Sequence, residues 1–462
     1  MPVRSRLVSS FLAAVLIAVL QPVLSAEPVR VYRIQDLGFI GGSNYLVGIA
    51  INANGDVAGY GLGADGLLRA FRWTAAGGLE DLGTIGWQSS QATGMNDNGD
   101  VVGQYWEQSG AEHAFIARRG EGVTDLNAMY SQIFEVNAVN NAGQLTGLTQ
   151  SGHAFKTQPD GSLQEFGTYF SFGSGINEAG EIAGTTWHDD ERTQLQSTFR
   201  YSDGTGFVDL GTLNGGGSGA MSINEAGVIV GWSGGWSPGI PTRAFRAQRE
   251  LPMADLGALP AEGEGAFAYA INDRGAVVGQ AYTRVGLSPF LYTDAHGMID
   301  LRDRITTAER EVFSIDEATA INNAGQIVAN YNSPTGAYGT VLLTPVWRDF
   351  GGPVAAPTAE PSALRPAEHQ MVPVSIDPHV TDEYDPEPAC RIVRVVNSQA
   401  PRVGPDRDVE ITSALSVNLR ASRRGPGETR TYTITVACTD SLGVTSRSQV
   451  AVVVPHGHGP HD

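Results

Sequence analysis

Cysteine, charge and known catalytic motifs are all scarce in this 462-residue chain. Charged residues make up 17% of it, and only two cysteines are present, Cys390 and Cys438. Cysteine nucleophile chemistry is thereby excluded from the sequence that precedes them. We find no Gly-x-Ser-x-Gly, His-Glu-x-x-His or Gly-x-x-x-x-Gly-Lys-Ser/Thr motif and no Asp-box repeat. Catalysis by these widespread machineries is therefore not expected.

Basic residues are also few. The 30 Lys and Arg residues are outnumbered by 49 Asp and Glu residues, which gives a formal net charge of −19. Phosphate binding requires a basic surface, so nucleic acids are excluded as partners, and anionic lipid surfaces are disfavoured for the same reason. Because an acidic surface favours solubility and repulsion between copies, we expect a monomer.

A long apolar run occurs once, at the N-terminus. Two arginines precede the run FLAAVLIAVL at residues 11–20, and the small residues Ser25 and Ala26 follow it. This order is typical of a secretory signal peptide, and the run is shorter than the roughly 20 residues of a membrane span. We predict that residues 1–26 are removed and that the mature protein is secreted or periplasmic, without membrane insertion. An uncleaved anchor is the alternative.

Glycine, in contrast, is abundant, with 58 residues, and it recurs in a repeated element. An apolar residue followed by Asn-x-x-Gly occurs seven times, at Asn52, Asn96, Asn140, Asn177, Asn224, Asn272 and Asn322. Spacings of 37 to 50 residues are typical of propeller blades and short solenoid repeats. In such a turn Gly adopts the left-handed backbone conformation and the Asn side chain accepts hydrogen bonds from backbone N–H groups. A structural role therefore explains these asparagines.

Each unit predicts four short strands: one before the Asn turn, one after it, one around Ala-Phe and one ending in Asp-Leu-Gly. Residues 32–38 form a strand of the fourth type with no unit before it, whereas the unit that begins at Asn322 lacks its own. Pairing these two segments would remove the exposed edges of the array. We therefore predict an all-β, seven-bladed β-propeller over residues 29–346, closed by its N-terminal strand. An open β-solenoid is the alternative.

The composition changes after this array. Residues 347–366 are rich in Pro and Ala and predict a linker. Residues 367–456 contain alternating strands separated by Asp, Pro and Gly, which indicates a small immunoglobulin-like β-sandwich. In an exported chain Cys390 and Cys438 are expected to form one disulfide between separate strands. Residues 457–462 end the chain as a polar, His-rich tail.

Two parts of the sequence resemble known families. The triplets His113-Ala114-Phe115 and His153-Ala154-Phe155, together with GINEAGEIAG and DLGTLNGG, resemble the HAF-repeat extracellular proteins of bacteria over roughly residues 30–345. This resemblance implies an exported β-rich repeat protein and carries no activity. Residues 364–456 resemble an Ig-like module found at the C-termini of secreted bacterial proteins, where its implied role is adhesion, spacing or display.

Candidate binding residues lie in the variable loops after the second strand of each unit, because scaffolds generally carry function in such loops. Aromatic rings there suit sugar C–H groups or a peptide loop, and polar neighbours suit hydroxyl groups. The predicted ligand-binding residues are Tyr105, Trp106, Glu107, Trp187, His188, Asp189, Asp190, Trp232, Trp236 and Tyr282, and Tyr60, Tyr331 and Tyr338 occupy similar positions. Packing between blades is the alternative role for these aromatics.

Metal binding has weaker support. Asp382, Glu383 and Asp385 could bind Ca²⁺, although they lack the spacing of an EF-hand loop. Ca²⁺ is the one cofactor that we consider.

These observations favour a secreted or cell-surface binding or adhesion protein that recognises a glycan or an extracellular protein through the variable loops. One alternative is an exported propeller enzyme, a glycoside hydrolase or polysaccharide lyase. It would need carboxylates from different blades, with Glu107, Asp189 and Asp190 considered first. Another alternative is a structural matrix component without a small ligand.

Overall fold

In a computed structural model, the chain is almost entirely β-strand. The structure describes residues 29–455 apart from 84–87, 168, 191–192, 214, 236–240, 260–262, 349–351, 366–369, 383–384, 386, 401–405, 423–428 and 441–443. Helical segments in the described part are limited to Ile40–Gly42, Leu301–Arg304 and Thr307–Val312. None of them is long and apolar enough to cross a membrane. The all-β prediction is confirmed, whereas the predicted signal peptide and His-rich tail lie outside the described residues.

Six four-stranded antiparallel sheets follow one another, each built from consecutive strands. Sheet 1 consists of Leu46–Ile51, Val57–Leu62, Leu68–Thr74 and Gly78–Asp81, and sheet 2 of Ser89–Met95, Val101–Trp106, Glu112–Arg118 and Gly122–Asp125. Sheet 3 consists of Ile133–Val139, Leu145–Thr149, Ala154–Thr157 and Leu163–Phe166, and sheet 4 of Ser171–Ile176, Ile182–Asp190, Thr193–Ser202 and Gly206–Gly211. Sheet 5 consists of Ser218–Ile223, Ile229–Ser233, Arg243–Ala247 and Ala254–Asp255, and sheet 6 of Gly263–Ile271, Val277–Thr283, Gly286–Thr293 and Gly297–Asp300. The predicted four-strand unit is therefore present.

Sheet 7 combines the two ends of this array. Its first three strands are Ser314–Ile321, Ile327–Asn332 and Tyr338–Arg348, and its fourth is Val29–Asp36. The N-terminal strand runs antiparallel to Tyr338–Arg348, with Val29 opposite Arg348 and Asp36 opposite Val341. This is the pairing that the sequence predicted, although the strand extends two residues beyond the predicted boundary at residue 346.

The Asn-x-x-Gly turns adopt the predicted geometry. In the first of them Asn52 Oδ1 accepts the backbone N–H of Asp56 at 2.9 Å, and Gly55 has a φ of 82°. The other six asparagines accept the corresponding N–H four residues on, at 2.9 to 3.0 Å. All seven are buried. The side-chain oxygen thus satisfies a backbone donor that has no strand partner.

The same asparagines also connect neighbouring sheets. The Nδ2 group of Asn52 donates to the backbone oxygen of Asn96 at 3.3 Å, and Asn96 donates to Asn140 at 3.1 Å. Equivalent bonds of 3.0 to 3.2 Å continue through the remaining turns. The last one joins Asn322 Nδ2 to the oxygen of Asn52 at 3.0 Å. The series of seven bonds thus returns to its starting residue.

Glycines in the second strands allow a β-bulge in the first strands. In sheet 2, Gly103 lies opposite Ala92, and the register shifts before Gly94 pairs with Val102. A Cβ on Gly103 would lie 2.0 Å from the oxygen of Gln91 and 2.8 Å from the ring of Phe115. The Ala-Phe phenylalanines are all buried: Phe71, Phe115, Phe155, Phe199, Phe245 and Phe290. The repeated Gly and Phe therefore form one packing unit.

Cations link adjacent sheets near the Asn turns. Arg72 donates to the oxygen of Gly99 at 2.8 Å, and Arg200 donates to the oxygen of Gly227 at 2.6 Å. The buried Lys156 forms an ion pair of 2.6 Å with Asp203 of the next sheet. Each cation directly follows an Ala-Phe or Thr-Phe pair in the sequence.

The C-terminal residues form three further sheets, and the two larger ones enclose one apolar core. One has the order Thr358–Glu360, Met371–Asp377, Ser416–Arg420 and Val409–Ser413; the other has Ala389–Asn397, Arg430–Thr439 and Thr445–Val454; and Val354–Ala355 pairs with Val380–Thr381. Val374, Val417, Ile434 and Val452 are among the buried residues of the core. The predicted linker, residues 347–366, is corrected here, because Thr358–Glu360 is an edge strand with Ala359 buried.

The two cysteines form the predicted disulfide. Cys390 and Cys438 lie directly opposite each other on Ala389–Asn397 and Arg430–Thr439, and they are bonded. The bond joins neighbouring strands of one sheet.

Candidate functional site

Different loops connect the strands at the two ends of sheets 1–7. The Asn turns follow the first strands, and the loops between second and third strands lie at the opposite strand ends because successive strands are antiparallel. We call the side formed by these opposite strand ends the loop face. The predicted candidate residues that the structure describes lie where second strands reach it.

Two of the aromatic candidates are buried. Tyr105 is fully buried, and its ring stacks on His113 with centroids 5.0 Å apart. Tyr331 is also buried and donates its hydroxyl hydrogen to Asp36 at 3.2 Å. A surface ligand cannot reach these rings, so Tyr105 has a packing role instead of the predicted binding role.

Glu107 is held by its own hairpin. Its carboxylate lies 3.2 Å from Nε2 of His113 and accepts a hydrogen bond from Ser109 at 2.9 Å. His113 also lies 4.0 Å from Asp125 of the fourth strand. Glu107 therefore orders the second hairpin of sheet 2, and the His-Ala-Phe histidine has partners within its own sheet.

Trp187 belongs to an aromatic group on sheet 4. Its ring lies edge-on to Phe170, with centroids 5.0 Å apart, and 5.7 Å from Phe172. Phe170 is exposed on the loop face. This group offers an apolar surface of three rings.

His188 faces its own sheet. Its Nε2 lies 2.7 Å from Oγ of Ser197 and 3.0 Å from Asp209. The backbone of Asp189 and Asp190 continues the strand pairing, and their side chains lie outside the described residues. The enzymatic alternative considered for Asp189 and Asp190 thus has no described support beyond the His188–Asp209 pair.

Trp232 and Tyr282 belong to a row of rings across sheets 5 and 6. Trp232 lies 6.0 Å from Phe267, centroid to centroid, and Phe267 lies 5.8 Å from Tyr282 and 6.5 Å from Tyr269. Tyr282 is 43% exposed. We call these four residues the aromatic row. Trp236, the other predicted member of this region, lies outside the described residues.

A carboxylate surrounded by tyrosines lies where sheets 7 and 1 meet. Glu317 Oε1 accepts hydrogen bonds from Tyr338 at 3.1 Å and Asn330 at 2.9 Å. The Tyr338 ring stacks on Tyr45 of sheet 1 with centroids 5.7 Å apart. Tyr45 in turn influences the pKa of Tyr60 in the second strand of sheet 1. We call Glu317, Tyr45, Tyr60 and Tyr338 the Glu317 cluster.

Electrostatics connect this cluster to the aromatic row. Burial, followed by Tyr45 and then Glu317, raises the pKa of Tyr60 to about 12. Burial and then Glu317 also raise the pKa values of Tyr338 and Tyr269. The three hydroxyls therefore stay protonated at neutral pH and act as hydrogen-bond donors. Tyr269 belongs to the aromatic row, so the charge of Glu317 influences both groups of residues.

Two carboxylates from neighbouring sheets influence each other. Glu112 lies opposite Trp106 in sheet 2. Burial raises the pKa of Glu112, and burial and then Glu112 raise the pKa of Glu135 in sheet 3. The two carboxylates therefore belong to different units and are electrostatically coupled.

A concavity of about 440 Å³ lies beside sheet 1. Phe39, Ile40 and Leu79 form its apolar wall, and Arg69 provides a positive charge. Arg69 already pairs with Asp65 and lies 3.7 Å from Asp81. Its charge is compensated, so we do not assign this concavity to a ligand.

The predicted calcium ligands lie in the C-terminal unit. Asp382 Oδ1 accepts the backbone N–H of Asp385 at 2.9 Å, and Glu383 lies outside the described residues. Across the described ranges no three His, Cys, Asp or Glu side chains are grouped so that they could hold a metal ion. The calcium site remains a prediction.

Sequence reasoning missed the residues at the centre of this region. Glu317, Tyr45, Phe267 and Tyr269 all belong to first strands or directly precede one, whereas the prediction considered only the loops after second strands. The first strand of sheet 7, SIDEATAI, carries two carboxylates. The corresponding strands of sheets 1 and 2, LVGIAI and SSQATGM, carry none, and this difference was the available signal.

Comparisons with known proteins assign neither a family nor an activity. No protein-family model and no curated protein matches the chain. Solved structures that align with it include the acylaminoacyl peptidase of Pyrococcus horikoshii, at 10% identity over 74% of this chain and 59% of that one with a TM-score of 0.44. A gluconolactonase from Xanthomonas campestris aligns at 13% identity over 69% and 95%, with a TM-score of 0.33. The extracellular domain of a one-component-system protein from B. thetaiotaomicron aligns at 10% identity over 94% and 59%, with a TM-score of 0.35. The chain thus spans 59% of the peptidase, and at these identities and TM-scores the likenesses carry no functional argument.

Proposed function

We propose that residues 29–348 form a closed seven-bladed β-propeller that binds a glycan on its loop face, in a secreted protein with an Ig-like C-terminal module. The return of the Asn series from Asn322 to Asn52 and the pairing of Val29–Asp36 with Tyr338–Arg348 support closure. The disulfide is consistent with an oxidising compartment. The resemblance to HAF-repeat proteins agrees with export.

The observation that carries the binding function is the aromatic row across sheets 5 and 6, in which Tyr269 is also influenced electrostatically by Glu317. Ring faces contact the C–H groups of sugars, and neighbouring hydroxyl, amide and carboxylate groups bind sugar hydroxyls. Tyr269 and Tyr282 provide rings, while Asn330 and Glu317 provide polar groups within the same region. Alternating apolar faces and fixed polar groups favour a glycan over an apolar peptide.

A glycan array with purified residues 27–462 tests this proposal. Tyr282→Ala should weaken binding about tenfold or more, as expected for an exposed aromatic contact. Leu251→Ala is the matched control, because Leu251 is 60% exposed in a turn of sheet 5 away from the loop face. If the array shows no glycan and a protein is bound instead, the ligand class is wrong. If glycan binding is equal in both variants, the assigned surface is wrong.

A glycoside hydrolase or polysaccharide lyase is the second candidate, because Glu112 of sheet 2 and Glu135 of sheet 3 are electrostatically coupled and Glu112 lies opposite Trp106. Acid–base cleavage of a glycosidic bond requires a pair of carboxyl groups that flank the bond. Release of reducing ends from a bound polysaccharide, lost in both Glu112→Gln and Glu135→Gln, would replace the binding function by this enzymatic one.

A further inference from the structure

The Glu317 carboxylate lacks a cationic partner within the described part of the chain. It is partly buried, and its hydrogen bonds from Tyr338 and Asn330 both reach Oε1. By contrast, the buried Glu181 pairs with Arg249 at 2.5 Å, and the buried Asp56 pairs with Arg119. A partly buried carboxylate is stabilised by a positive charge beside it, and Glu317 differs from Glu181 and Asp56 in having none among the described residues.

Neighbouring groups increase the negative potential. Asp316 precedes Glu317 and is hydrogen-bonded to Asn332. The nearby cation, Arg302, is bound to Asp300 and Ser288. Because the Arg302 guanidinium is paired with the Asp300 carboxylate, it does not neutralise the charge of Glu317.

Three tyrosine rings lie around this charge. Tyr338 and Tyr45 are stacked, and burial, then Tyr45 and Glu317, raise the pKa of Tyr60. The negative face of an aromatic ring attracts an ammonium group, and the attraction increases when a carboxylate lies beside the ring. Tyrosines beside a carboxylate that lacks a counter-ion therefore suit a cation better than a neutral sugar.

We propose that the Glu317 cluster binds a protonated amine of the ligand, and that the glycan recognised by the loop face is an amino sugar polymer with free amino groups. This inference rests on the proposed glycan-binding function. The net charge of −19 would also steer a cationic polymer toward the protein.

Two oligosaccharides that differ only in N-acetylation test the inference. We would measure binding of the glucosamine and N-acetylglucosamine hexasaccharides to purified residues 27–462 by calorimetry at mildly acidic pH, where the free amines are protonated. The wild-type protein should bind the glucosamine form at least tenfold more tightly, and this preference should decrease as salt is added. The salt series needs no variant and is therefore independent of folding defects.

Glu317→Gln retains the shape of the side chain and an acceptor for Tyr338, and it should abolish the preference. Glu121→Gln removes the same charge from an exposed turn of sheet 2 on the side opposite the loop face. It should leave the preference for the glucosamine form unchanged. Equal binding of both hexasaccharides, or binding of neutral glycans alone, overturns the amine inference while the proposed glycan-binding function stands. Absence of binding to any saccharide overturns both.

Discussion

The side-chain amide of Asn322 donates a hydrogen bond to the backbone oxygen of Asn52 at 3.0 Å, although 270 residues separate them. The Oδ1 of Asn322 accepts the N–H of Gln326 within its own turn at 3.0 Å. One side chain therefore stabilises a local turn and an inter-sheet contact at the same time. An aspartate could perform only the first task, since it lacks the donor.

The two roles can be tested separately at Asn224. Residue 228, four positions later, is a valine, so the Asn224 amide has no side-chain partner within its turn. Asn224→Ala loses the bonds to Val228 and Asn272 and should lower the free energy of unfolding by about 2–3 kcal/mol. Asn224→Asp keeps the acceptor and should cost about half as much. Urea unfolding followed by tryptophan fluorescence measures both variants. Wild-type stability of Asn224→Asp would show that the inter-sheet bond contributes nothing, and equal losses in the two variants would show that the acceptor within the turn contributes nothing.

A methyl group at Gly103 should be strongly destabilising. Its Cβ would meet the oxygen of Gln91 at 2.0 Å, which the bulged strand cannot relieve by a rotamer change. We expect Gly103→Ala to lower the free energy of unfolding by about 2–4 kcal/mol. The control is Gly204→Ala, because a Cβ there has nothing within 4 Å. Similar unfolding curves for the two variants would contradict the proposed packing unit.

Stability should depend on pH through Glu225. Burial, and then Glu178, Asp273 and Asp97, raise the pKa of this carboxyl in the folded protein, whereas the N–H of Glu178 lowers it. A raised folded-state pKa means that protonation favours the folded state, so this contribution is present below the ordinary glutamate pKa of about 4.3 and is lost as pH rises through the folded pKa.

Glu225→Gln can still accept the N–H of Glu178 and carries no charge. Its melting temperature should therefore fall less than that of the wild type as the pH rises from about 4 to neutrality. Scanning calorimetry over this range measures the difference, with Glu121→Gln, in a turn of sheet 2, as the control. Parallel curves for wild type and Glu225→Gln would refute the assignment.

The disulfide should stabilise the C-terminal sheets. Cys390 and Cys438 close a loop with a sequence separation of 48, and such a bond typically contributes about 2–5 kcal/mol. Reduction should increase amide hydrogen exchange across Arg430–Thr439, while exchange in the first strands of sheets 1–7 stays unchanged. The variant with Cys390→Ala and Cys438→Ala should show the same exchange with and without reductant. A uniform increase over the whole chain would contradict a local effect.

The sequence predicted those features that depend on local chemistry. Turn glycines, the Asn acceptors and the alternation of four strands all follow from residues within a few positions of one another. The pairing of the two ends of the repeat array was predictable, because a strand of the fourth type precedes the first unit and the seventh unit lacks one.

The Glu317 cluster could not be predicted in this way. Tyr45 and Tyr338 are far apart in the sequence and meet only because sheets 1 and 7 are neighbours. The burial of Tyr105 likewise depends on His113 and on the packing between sheets 1 and 2, which no spacing reveals. Long-range packing therefore decides which of the repeated aromatics remains accessible.

The position of Val29–Asp36 beside Tyr338–Arg348 has a consequence for biogenesis. The first described strand of the chain is synthesised early, yet its partner emerges about 300 residues later, so this contact is among the most non-local in the molecule. Until then the strand has an unpaired edge, which favours association with other chains. A chain truncated near residue 330 during synthesis or export would thus expose edges at both ends of the array, and we expect such fragments to aggregate or to be degraded.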